Sequence, residues 1–144
     1  MAIDALTPHT PAEPGSYVPP VDEYAFLLGE AFGADIVARA SKGALTADDA
    51  GDAIAAAGEF AAEVFAPLDR VGDQQGSRLV DGEVRTPDGF KDAYKAFAEA
   101  GWVSAAVSED AGGDGLPGSV VAGLGQFIMA VGQMFGGDAA VPLP

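Results

Sequence analysis

Near its C-terminal end the chain reads "VSAAVSEDAGGDGLPGSVVAGLG", which contains Gly113-x-Gly115-x-x-Gly118. With that spacing a dinucleotide-binding loop brings backbone N–H groups against a pyrophosphate. Asp138 lies twenty positions beyond Gly118, where such loops have an acid for the ribose. The chemistry needs more than glycines. A strand must deliver the first glycine into the turn, and a second strand must complete the βαβ unit. Here the strand-like run "VSAAV" ends six residues before Gly113, no second strand follows, and Pro117 interrupts the motif. Glu109, Asp110 and Asp114 would face the anion and repel it. The stretch therefore reads as a tight loop that ends in a proline-started helix. Its glycines are expected for backbone angles that other residues adopt at a cost.

Little other site chemistry is possible. With no cysteine there is neither a disulfide framework nor a thiolate metal site. The single histidine, His9, lies in the tail-like "TPHTPAEPG", which excludes a His-based metal centre or triad within this chain. The formal charge is −15, from 22 acidic and 7 basic residues. The basic residues (Arg39, Lys42, Arg70, Arg78, Arg85, Lys91, Lys95) form no cluster along the chain. Nucleic acid and anionic membrane surfaces are therefore not expected as partners. "MAIDALTPHT" has no basic or apolar signal region, so a cytoplasmic protein is expected.

The elements around the glycine loop follow from periodicity. A chain of 144 residues, 49% apolar, is expected to form one alanine-rich, helical domain. Residues 1–20 hold five prolines and read as an extended arm. Val21, Ala25, Leu28, Phe32 and Ile36 recur at helical spacing, with a break expected near Gly33. Thr46 and Asp49 form a capping box that opens a helix bearing Ala50, Ile54, Ala57, Ala61, Val64, Phe65 and Leu68 on one side, with Pro67 in its last turns. Leu79-Val80, Asp81-Gly82 and Glu83-Val84 read as a short hairpin. Thr86-Pro87 is a helix start, Phe90, Tyr94 and Phe97 an apolar stripe, and Gly101 a left-handed stop.

From Gly115 to Gly137 no residue is charged, a length that could span a bilayer. Its flanks are acidic and lack a basic anchor, so a buried bundle helix is the better reading. Ser119, Gln126 and Gln133 give that helix a narrow polar stripe. Val120, Val121, Leu124, Phe127, Ile128, Val131 and Phe135 spread around it, more apolar surface than three short neighbours are expected to cover. Self-association through residues 116–135, or a loosely packed state, is the expectation that follows. The fold class is all-α: four or five packed helices with one short β-hairpin. Residues 21–136 are expected to form the domain and 137–144 a tail.

Several of these motifs in series resemble the acyl-CoA dehydrogenase family. "GWVSAAVSEDAGGDGLPGSVV" is similar to the family's Gly-Trp corner leading to "GG-x-GLP" and a helix. "EFAAEVFAPLDRVGDQQGSRLVDGEVRTPDGFKDAYKAFAEAGW" resembles its second helix, "APL-x-R-x-GD" exit, hairpin and following helix. "YVPPVDEYAFLLGEAFG" is similar to the N-terminal extension of long bacterial members. The resemblance covers residues 17–135.

The resemblance implies a helical N-terminal domain from an enzyme that oxidises acyl-CoA thioesters between the α and β carbons, with FAD as hydride acceptor. In the family a barrel and a C-terminal helical domain hold FAD and supply the glutamate base. Their residues have no counterparts here, so no catalytic or cofactor-binding residue carries over. The expectation is a truncated or split chain, inactive and without FAD alone, that meets acyl-CoA only with those domains. Gly112, Gly113, Gly115, Leu116 and Pro117 carry over as the structural loop. Phe127, Met129 and Met134 are candidates for the edge of an acyl pocket, against plain core packing. The alternative function is a non-catalytic acidic helical module that docks on a partner chain.

Overall fold

The computed structural model describes residues 17–33 and 35–131. Six helices and one hairpin follow in chain order. They are α1 (Val21–Phe26), α2 (Asp35–Ala40), α3 (Ala47–Phe60), α4 (Ala66–Gln75), β1 (Arg78–Val80), β2 (Glu83–Arg85), α5 (Phe90–Glu99) and α6 (Gly118–Val131). The all-α architecture with one small antiparallel hairpin is as the periodicity indicates.

Helix α3 is the centre, with α1, α2 and α6 packed around it. Its start is the capping box: Asp49 N–H donates to Thr46 Oγ1 at 3.2 Å, and Thr46 N–H donates to Asp49 Oδ2 at 2.7 Å. Ala50, Ile54, Ala57, Ala61 and Phe65 are buried along its inner side. The helix does not stop near Pro67 as expected. A π-turn over Ala61–Phe65 widens it and α4 carries on to Gln75, with Pro67 in the first turn of α4, where a missing N–H leaves no bond unmade.

A second π-turn, Leu27–Ala31, extends α1. The extra residue per turn rotates the apolar face, so Leu28 is buried while Ala25 and Phe32 point outward, against the even stripe expected. Gly33 breaks the helix at φ 87°. Residues 17–20 lie on the bundle: Tyr17 packs against the core, and a Cβ on Gly58 would stand 2.9 Å from Pro19 Cβ.

The hairpin turns on Asp81 and Gly82, both at positive φ, the geometry that Asp-Gly favours. Helix α5 begins later than expected. Its N-cap is Gly89, and Thr86 does not cap it, because the Asp88 N–H is taken by Gln75 Oε1 at 2.9 Å. Phe90, Ala93 and Phe97 form its buried side, and Tyr94 is turned outward. Gly101 ends it at φ 85°.

Helix α6 is covered more completely than its composition leads one to expect. Val120, Leu124, Phe127, Ile128 and Val131 are buried within this chain, and Val121 is half-buried. Gly123 permits this, since a Cβ there would meet Ile54 Cδ1 at 2.5 Å and Tyr24 Cε1 at 3.0 Å. Phe135 lies outside the described residues, as do His9, Gln133, Met134 and Asp138.

Candidate functional site

The glycine loop is built by the chain folding back on itself. "VSAAV" is a series of turns, not a strand. The N–H of Gly115 donates to Val107 O and that of Leu116 to Ala105 O, both at 2.8 Å. Between these two closures the N–H groups of Gly112 and Gly113 donate to Glu109 O (3.0 Å) and Ser108 O (3.1 Å). Thus the N–H groups of Gly112, Gly113, Gly115 and Leu116 are already engaged inside the loop, and Glu109, Asp110 and Asp114 are exposed on it. Those internal bonds and the exposed acids oppose a phosphate at the loop.

The three glycines serve it for different reasons. Gly112 and Gly115 hold φ 87° and 64°, as expected from their type. Gly113 does not have positive φ. A Cβ there would collide with the carbonyl oxygen of Val107 and lie 2.5 Å from that of Ser104, so its requirement is space. Pro117 is buried and its carbonyl accepts from Val120 and Val121 as α6 begins. Leu116 packs half-buried on the core.

Of the acyl-pocket candidates, Phe127 and Met129 are turned to different sides of α6. Phe127 is fully buried, its ring edge-on to Tyr24 at 5.2 Å between centroids. Met129 is 58% exposed. Met134 lies outside the described residues. On the outer side of Phe127 the Tyr24 hydroxyl donates to Gln126 Oε1 at 2.5 Å, a cross-helix bond that spacing alone did not reveal. Burial raises the Tyr24 phenol above its ordinary pKa, with the Glu23 charge adding to the effect.

Sequence order also hid a pairing of cations. Arg78 and Arg85 are seven residues apart in the chain, and the hairpin register places them directly opposite each other. Among the described residues no group of acids and histidines is arranged to hold a metal, and no helix is long and apolar enough to cross a membrane.

No protein-family model matches the chain. It is similar to a 3-methylmercaptopropionyl-CoA dehydrogenase of Ruegeria pomeroyi, 39% identical over 89 residues. Those residues are 62% of this chain and 15% of the relative, so the chain spans a small part of that protein's length.

Proposed function

We propose, of a chain that this 89-residue match assigns to the acyl-CoA dehydrogenase family, that it is the helical N-terminal domain of an enzyme that introduces a double bond between Cα and Cβ of an acyl-CoA thioester. The observation that carries the reading is the match itself, on a bundle whose helix, hairpin, helix and glycine corner occur in the order the resemblance implies. The sulfur-containing acyl group in the relative's name is the first substrate to try. FAD, the hydride acceptor of such enzymes, would be held by other parts of the fold, because the N–H groups of Gly112, Gly113, Gly115 and Leu116 are bonded within the glycine corner and its exposed side chains are acidic. This domain's own contribution is then a rigid wall, with α6 fixed by Phe127, Tyr24 and the Pro117 start. A cytoplasmic setting belongs to the same reading.

The test is a transplant. The 89 matching residues of this chain replace their counterparts in the Ruegeria pomeroyi dehydrogenase, and acyl-CoA-dependent dye reduction and bound flavin are measured. The expected product is yellow and active. A folded chimera that lacks turnover while the parent enzyme retains it defeats the proposal.

A further inference from the structure

We propose that the cleft between the end of α4 and the hairpin is a binding site for a phosphoryl oxyanion, gripped between Arg78 and Arg85. The cleft has a volume of about 450 Å³ and is lined by Gln75, Gly76, Arg78, Val80, Arg85, Thr86 and Asp88. That is room for a phosphoryl group with a small organic body attached.

Three features point to an anion. Arg78 and Arg85 are register partners, so both project from one face of the hairpin, the face they share with Val80 in the cleft. Like charges placed directly opposite on paired strands repel, and Glu83 on the same face offsets only Arg85, so an anion between the two arginines is favourable. In a chain with seven basic residues and 22 acidic ones, two of the seven meet here.

Each guanidinium is also oriented without being saturated. Arg78 Nε donates to Gln75 O at 3.1 Å, which leaves its two terminal nitrogens without an acceptor among the described residues. Arg85 Nη2 rests 3.2 Å from Glu83 Oε2, an exposed pair that an incoming anion exchanges easily because solvent screens it. Two planar forks, each held by one contact, suit a tetrahedral group with several oxygens. Thr86 also lines the wall, and its type carries a hydroxyl donor. Two carboxylates oppose binding: Glu83 competes for Arg85, and Asp88 lies on the wall. The Asp88 carboxylate is turned to the Gln75 amide, Nε2 to Oδ2 at 3.0 Å, and this clip holds the cleft's shape.

The experiment is a nuclear magnetic resonance titration of the 144-residue chain with inorganic phosphate, repeated with malonate and with sodium chloride at matched ionic strength. Saturable shifts centred on Gly76, Arg78, Arg85 and Thr86 are expected with phosphate, weakening as salt rises. Arg78→Gln with Arg85→Gln should weaken binding about tenfold or more. If that double variant is misfolded, Asp88→Asn decides the matter. It keeps an oxygen for the Gln75 clip, removes the opposing charge, and should tighten binding roughly fivefold. Arg85→Lys, which keeps the charge and loses the fork, should bind more weakly than the parent. Shifts reproduced by chloride, tighter binding of malonate than of phosphate, or an Asp88→Asn variant no tighter than the parent each overturn the proposal.

Discussion

Gly113 stands so close to the carbonyl oxygen of Val107 that a methyl group on it would occupy the same space. Nothing flexible can give way, because a second backbone oxygen, that of Ser104, lies 2.5 Å from the same point. The corner that leads into α6 thus depends on a close backbone approach. It does not depend on an affinity for phosphate.

That relationship separates two substitutions that look alike in sequence. Gly113→Ala must displace backbone and should cost about 3 kcal/mol. Gly115→Ala meets nothing nearer than Glu109 Cγ at 3.6 Å and carries only the left-handed angle, roughly 1 kcal/mol. Denaturant unfolding of both variants measures the difference. Equal losses would show that the angle alone matters at both positions.

Phe127 and Met129, two residues apart on α6, should respond in opposite ways. Phe127→Ala removes a fully buried ring and should cost about 4 kcal/mol. Met129→Gln, on a side chain 58% exposed, should stay within roughly 0.5 kcal/mol of the parent. A large loss at Met129 would mean that this side of α6 is covered in solution.

The phenols give an alkaline limit to stability. Burial raises the pKa of Tyr17, with Tyr24 adding to it, and burial with Glu23 raises that of Tyr24, both from an ordinary 10.0. A raised phenol pKa means the fold prefers the neutral form. The stabilisation is therefore complete below pH 10.0 and is lost as pH climbs through the higher folded values. In a Tyr17→Phe, Tyr94→Phe chain, phenolate absorbance should report Tyr24 titrating late, and unfolding in urea should remove the delay. Tyr24→Phe should also cost about 1 kcal/mol through the lost bond to Gln126. Identical titration in the folded and unfolded chains contradicts the geometry.

At the acid end the capping box sets the dependence. The Thr46 backbone N–H, and then its hydroxyl, hold the Asp49 carboxyl below its ordinary 3.8. A depressed carboxyl pKa gives stability that is present above 3.8 and disappears as pH falls through the lower folded value. Asp49→Asn should therefore melt below the parent at neutral pH, and the two curves should converge in acid. A gap that stays constant with pH would assign the effect to helix propensity instead.

Much of this fold was legible in the sequence because its signals are local. The Thr46–Asp49 box, the Asp81-Gly82 turn, the Gly33 break and the Gly101 stop each rest on backbone angles or bonds spanning a few residues. The family resemblance, too, rested on motifs in order along the chain. The tertiary structure decided what depends on which surfaces meet. Two π-turns rotated apolar faces, carrying Phe32 outward and letting the helix run past Pro67, because an extra residue in a turn leaves no mark on composition. Side chains on α6 that periodicity left uncovered found cover on α3 and Tyr24, since Gly123 lets the helices close to contact. Gly113 is required by a carbonyl six residues away, and Arg78 faces Arg85 only once the strands pair. Spacing in the chain records neither distance, because both are set by the chain's return upon itself.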